Sequence, residues 1–183
     1  QFGNDTPGCG DLGNMCQTIQ YALDNIVCDA DTIFIHTGNY TLPAATDELT
    51  AVANMPEGLS ITLFGVWDTG PAVIDGNGQR RGVQYNYLGS VCLDSHSNDG
   101  IDETVELNFI NLNFENCFLE AFSCNGTTVS YGGAVQLYND LGSQLYVNFY
   151  NCQFWNNFIS DVAGPNNNGR ASSGAAIYMH SRE

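Results

Sequence analysis

The chain contains no lysine. Its only basic residues are four arginines, Arg80, Arg81, Arg170 and Arg182, set against 20 acidic residues, so the formal net charge is -16 over 183 residues. Nucleic-acid binding draws on a basic footprint that releases counterions, and none exists here. Anionic membrane surfaces are disfavoured for the same reason. No apolar run approaches the length that spans a bilayer. There is no C-x-x-C pair, which removes the usual mark of zinc ribbons and thioredoxin-like chemistry. Also missing are a G-x-S-x-G elbow, a P-loop and an H-E-x-x-H pair. Charged residues are scarce, at 13%, yet 43% of residues are hydrophobic. That is the composition of a folded chain rather than a disordered one, and its length suits a single domain over 1–183.

Seven cysteines are present: Cys9, Cys16, Cys28, Cys92, Cys117, Cys124 and Cys152. All are disulfide candidates in an oxidising compartment, with one left over to stay free or pair elsewhere. Cys9, Cys16 and Cys28 surround the one helical pattern, where a bridge would staple it, while Cys117 and Cys124 bracket one bend. Three N-x-[ST] sequons begin at Asn4, Asn39 and Asn125, the first weakened by Pro7. Cysteines and sequons together favour a secreted or cell-surface glycoprotein carrying N-linked glycans, and Gln1 suits the first residue of a chain released from a signal peptide.

In 9–28 the residues Ile19, Ala22, Leu23 and Ile26 fall at helical spacing, with Thr18 as a cap. "DTIFIHTGNYTL" then alternates, with Ile33 and Ile35 on one face and Phe34 on the other, and ends in a Gly-Asn turn. "GLSITLFGV" repeats the pattern, and "PAVIDGNG" is a short strand closed by a turn. Later the phrasing becomes periodic. "VELNFINLNFENC" lies against "LYVNFYNCQFWNN" at an offset of 40, and "GGAVQLY" against "GAAIYMH" at an offset of 42. Such a period suits two rungs of a strand solenoid. The fold expected is an all-β, right-handed parallel β-helix, with 9–28 as an N-terminal cap over an otherwise unprotected edge and 29–183 as rungs. Asparagine, normally poor in strands, would then sit at bends and bond to its counterpart one rung on.

The entry segment "CQTIQYALDNIVCDADTIFIHTGNYTL" resembles that of pectin-lyase-like parallel β-helix proteins. The repeat positions Phe114, Asn116, Gly132, Gly133, Ala134, Phe154, Asn157 and Gly174 resemble the F-x-x-N and G-G-A-[ILV] repeats of chlamydial polymorphic outer-membrane proteins. Phe114-Glu115-Asn116-Cys117 departs by Cys for Asn, and Gly174-Ala175-Ala176-Ile177 by Ala for the second Gly. The resemblance implies a β-helix with an extracellular, adhesin-like or structural role.

Catalytic residues are not assigned. Arg80 and Arg81, in a turn-like stretch, read as surface arginines, although such a pair can grip an anionic sugar. Sequence neighbours such as Asp29/Asp31, Asp47/Glu48 and Asp102/Glu103 need not face one another across a cleft, as a glycosidase requires. "DSHSNDGIDE" (94–103) is a weak Ca²⁺-loop candidate, and otherwise neither metal nor cofactor is expected. "AIYMHSRE" follows a strand-like run with no second cap, so end-to-end stacking into a filament or rod-like surface assembly, or a longer parent chain, is expected to cover that edge. The runner-up is a carbohydrate-active enzyme or carbohydrate-binding module using Trp67, Tyr85, Tyr87 and Trp155, with cell-surface glycans as partners.

Overall fold

A computed structural model describes residues 3–10, 13–25, 31–41, 51–55, 59–86, 104–119, 122–124, 127–131, 133–139, 144–159, 170–173 and 176–181. One short helix, α1 (Ile19–Asp24), precedes seventeen strands among these residues. The Thr18 hydroxyl caps α1 by accepting from the Tyr21 N–H at 3.1 Å. Asp5 reaches across from the preceding loop and accepts from the N–H groups of Gln17 (2.8 Å) and Thr18 (3.0 Å) and from the Thr18 hydroxyl (2.9 Å). A carboxylate there satisfies amides that the helix start leaves open.

The strands run in four successive passes. The first holds β1 (Asp31–Ile35), β2 (Gly38–Tyr40) and β3 (Ala51–Met55). The second holds β4 (Ile61–Gly65), β5 (Ala72–Asp75) and β6 (Arg81–Asn86). In the third come β7 (Thr104–Ile110), β8 (Leu112–Glu115), β9 (Phe118–Leu119), β10 (Phe122–Cys124), β11 (Thr127–Tyr131) and β12 (Val135–Asn139). The fourth holds β13 (Gln144–Tyr150), β14 (Gln153–Trp155), β15 (Phe158–Ile159), β16 (Arg170–Ser173) and β17 (Ile177–Ser181). Each pass lays its strands beside those of the pass before, in the same order. Three four-stranded sheets result: β1-β4-β7-β13, β2-β5-β8-β14 and β3-β6-β12-β17. Every pairing within them is parallel. Among the described strands only β10 and β11 pair antiparallel, as a side excursion of the third pass. The protein is thus mostly β, with stacked parallel sheets compatible with a β-helix-like solenoid.

Register explains the hydrophobic alternation. Ile33, Leu63, Phe109 and Phe149 form one column of the first sheet; Tyr40, Ile74, Phe114 and Phe154 one of the second; Ala53, Val83, Val135 and Ile177 one of the third. These columns meet in one core. Phe114 stacks on Phe154 with centroids 4.9 Å apart and planes 6° apart, and Phe109 stacks on Phe149 at 5.0 Å and 13°. Both distances match the spacing of neighbouring strands. Ile19 and Leu23 of α1 are buried, and the helix lies against β1 and β3.

Two expectations are corrected here. The offset of 40 is one pass and not two rungs, because Asn113 lies directly beside Gln153 and Phe114 beside Phe154 on adjacent strands. Gly38 and Asn39 do not close a strand; they belong to β2, whose partner is Ala72 and Val73.

Candidate functional edge, corners and cleft

Asparagine builds the corners. Asn111 alone, and Asn151 together with Cys152, make the bends between first- and second-sheet strands, with the asparagines at φ 55° and 51°. Asn116 and Asn156 mark the next corner, at φ 49° and 53°. Among non-glycine residues Asn tolerates this left-handed region best. The side chains then bond from pass to pass: Asn151 Nδ2 to Asn111 Oδ1 (2.9 Å), Asn156 Nδ2 to Asn116 Oδ1 (2.7 Å), Asn148 Nδ2 to Asn108 Oδ1 (2.9 Å). One ladder ends on an acid. Asn116 Nδ2 donates to Asp75 Oδ1 (3.2 Å), Asn39 Nδ2 to Asp75 Oδ2 (2.9 Å), and the Asn77 N–H to Asp75 Oδ1 (2.8 Å). Asn157 bonds inward as well: its Oδ1 accepts from the Cys117 N–H and its Nδ2 donates to the Phe114 carbonyl, both at 2.9 Å. Gly133 and Ala134 are buried at the start of β12, while Gly132 and Gly174 lie outside the described residues.

Among the described residues the fourth pass is the last strand of all three large sheets. Its inward side chains Leu145, Val147, Phe149, Cys152, Phe154 and Ile177 touch the core but stay only partly buried, whereas Leu107, Phe109 and Phe114, one pass earlier, are fully buried. The first pass differs, since α1 overlies β1 and β3.

A second feature lies at the N-terminal end. The loop closed by the Cys9–Cys16 disulfide and α1 stand off from β1 and β4, leaving a cleft of about 810 Å³. Phe34, Phe64, His36, Tyr40 and Val66 line its strand side. Phe34 is 63% exposed and meets Phe64 edge-on at 5.8 Å. Their column continues over the outer face of the first sheet as Ile110 and Tyr150. His36 Nδ1 lies 3.1 Å from Asp68 Oδ2 at the rim, next to exposed Trp67.

Other sites named from the sequence fall as follows. Cys117 and Cys152 do not form disulfides; both are free thiols within the stack. The Cys117 thiol sits 3.4 Å from the Glu115 carbonyl and the Cys152 thiol 3.2 Å from that of Phe109. Burial pushes Cys117 up to about 12, with Asp75 and Glu115 adding to the rise against an opposing Gly76 amide; burial also raises Cys152. The Cys9–Cys16 bridge closes the loop before α1. Cys28, Cys92 and the side chain of Cys124 lie outside the description, as do Asn125, Tyr87 and the 94–103 segment. Asn4 and Asn39 are exposed. Tyr85 is not a surface aromatic but fully buried, whereas Trp155 is 71% exposed. Arg80 and Arg81 are not surface arginines either: both are buried, at 6% and 2% exposure. Nothing in the "QRRG" string marked them as interior, because a strand's alternation starts only at Val83. Among the described residues no group of three or more His, Cys, Asp or Glu gathers as a metal site, and no helix is long and apolar enough to cross a membrane. No protein-family model, curated protein or solved structure matches the chain.

Proposed function

We propose that the chain is a right-handed parallel β-helix of the extracellular structural or adhesive kind, a rigid glycosylated scaffold that associates through its fourth-pass edge. The observation that carries this reading is the contrast between its two ends. At one end α1 overlies the first strands. At the other, Phe149, Phe154 and Val147 stay half-covered on an edge whose column register one more layer would continue. Strand edges of this length are ready templates for pairing. Where a second copy covers this edge, and not further rungs of a longer chain, head-to-tail growth would have to displace α1, so a closed two-fold contact of fourth pass with fourth pass suits it better than an open fibre. Both copies carry a charge of -16, and added salt should therefore strengthen the pair. Sedimentation velocity from about 1 µM to about 1 mM tests it. The expectation is a monomer–dimer equilibrium that weakens in the variants Asn148→Asp and Tyr150→Asp. A monomer throughout that range, or growth into filaments, overturns the closed pair.

A second reading has its own observation. The exposed Phe34 and Trp67 beside the His36–Asp68 pair and the 810 Å³ cleft are the kind of aromatic and polar combination that holds a sugar ring. Titration of tryptophan fluorescence with neutral and acidic oligosaccharides tests this reading. A saturable change that Trp67→Ala abolishes supports it, and no change with either class removes it.

A further inference from the structure

The third sheet buries a cation for which no counter-charge appears among the described residues. Arg81 opens β6, and its side chain is 2% exposed. Its Nη1 donates to Gln84 Oε1 at 2.6 Å. Its Nε and Nη2 are buried and make no hydrogen bond. Among the described residues no carboxylate pairs with it, and burial lowers its pKa to about 10. Directly across the ladder from Gln84, on β12, stands Gln136, with no exposed surface. Both atoms of its side-chain amide are likewise unbonded. Gln84 thus bonds one nitrogen of the unmatched guanidinium and is the register partner of the unmatched amide's residue, Gln136.

Leaving such groups buried and unpaired is among the costliest arrangements in a fold. The pattern of what is used and unused is also specific. In a planar guanidinium the Nε–H and Nη2–H point the same way along one edge, spaced to meet the two oxygens of a carboxylate. Gln84 occupies the remaining nitrogen, Nη1, and so fixes the orientation of the plane. The chain has 20 acidic residues with which to fill that edge, yet none of those described does so.

We propose that Arg81 and Gln136 form a binding site for the carboxylate group of a small ligand. The Nε–H and Nη2–H of Arg81 each donate to one carboxylate oxygen, the Gln136 amide N–H donates to one of them, and Gln84 is a positioning residue. Formate and acetate are the simplest ligands that carry this group; the carboxylate of a uronic sugar offers the same chemistry. The site stands independently of whether the fourth-pass edge pairs.

With only four arginines in the chain, ¹⁵N-correlated spectra of the arginine Nε–H groups of the intact protein read the site directly. Sodium acetate is titrated in at constant ionic strength and pH 7 against sodium chloride, with sodium galacturonate as a parallel arm. The expected result is a saturable downfield shift of the Arg81 Nε–H with acetate, and a saturable rise of several degrees in the unfolding midpoint that Gln136→Leu reduces and Arg81→Lys abolishes. A shift with galacturonate alone supports the carboxylate site and names the sugar acid as its source. An Arg81 Nε–H unmoved in both arms, or a midpoint that rises equally in wild type and Arg81→Lys, overturns the proposal; the first readout needs no variant to fold.

Discussion

Replacing Phe114 with alanine tests the register most directly. Phe114 has no exposed surface, stacks on Phe154 at 4.9 Å and meets Phe109 edge-on at 6.1 Å. Truncating a phenylalanine so enclosed costs about 3–5 kcal/mol through lost transfer energy and the cavity left behind. Phe154 makes the same stack but is only partly buried in the last pass. Roughly half of that area is at stake, so Phe154→Ala should cost about 1.5–2.5 kcal/mol. Because the rings touch, the double variant should lose less than the sum, by a coupling of about 0.5–1.5 kcal/mol. Urea unfolding followed by both tryptophan fluorescence and far-ultraviolet dichroism measures all three. With a slope of about 2–3 kcal/mol/M, Phe114→Ala should move the midpoint down by about 1–2 M. Additive losses, or a Phe114 loss below about 1 kcal/mol, would mean that the two rings occupy unrelated sites, and the stacked-pass description would fall.

Three further perturbations follow from particular contacts. The Cys117 thiol, held near 12 by burial, stays protonated in the folded chain while the unfolded chain ionises above about 9. Folding stability should therefore fall with rising pH between those values, by about 1.4 kcal/mol per pH unit relative to Cys117→Ala, a difference read from urea midpoints at pH 8 and pH 10.5; parallel curves would place the thiol in a polar setting. Gly76→Ala should be strongly destabilising, since a Cβ there meets the Arg80 carbonyl and comes within 2.6 Å of Cys117 Cα. Gly78→Asn, at φ 66° with open space around it, should change the thermal midpoint little, and equal effects from the two changes would refute the close approach of passes at Gly76. Opening the Cys9–Cys16 bridge by combining Cys9→Ser with Cys16→Ser removes a cross-link across a sequence separation of 7 and should cost about 2.5 kcal/mol. Amide exchange should then accelerate in the loop and α1 but not in β7 or β13; uniform acceleration would show that the loop is not a local cap.

The third and fourth passes were legible because their lengths agree. Asn108 bonds Asn148, Asn111 bonds Asn151 and Asn116 bonds Asn156, each 40 residues apart, so the eye finds the same phrase twice. Earlier passes hide the same design behind unequal connections. Asp31 pairs with Ile61 only 30 residues on, whereas Val83 pairs with Val135 after 52. The capping helix was readable from Thr18 and the spacing of Ile19 and Leu23, both of which pack inward. The number of passes per repeat was not readable, because asparagine corners of one or two residues let one pass absorb several very short strands along with the β10–β11 excursion. The burial of Arg81 and Gln136 was hidden for a different reason: alternation marks the face that Val83 and Val135 turn to the core and says nothing of the polar residues beside them.

The cysteine that breaks the F-x-x-N phrase shows how the passes are joined. Asn157 donates its amide back to the Phe114 carbonyl and accepts from the Cys117 N–H, so an asparagine of one pass completes the corner of the pass before it. Cys117 holds the corresponding place one pass earlier. Its thiol points toward the carbonyl of Ile74, the register partner of Phe114, at 3.9 Å, and faces the Gly76 amide. It therefore repeats the same backward contact with a weaker donor. An asparagine side chain would have to fit where Gly76 already lies against Cys117 and where even a Cβ on Gly82 would stand 3.0 Å from the thiol. The second pass turns here through the Gly76-Asn77-Gly78 loop, which bonds its own amides to the Glu115 and Asn116 carbonyls. With those backbone groups already satisfied, the corner needs a small, apolar filler more than a second amide. The free thiol follows from packing at a crowded corner, and the motif's asparagine returns at 157, where no tight loop competes for the bonds.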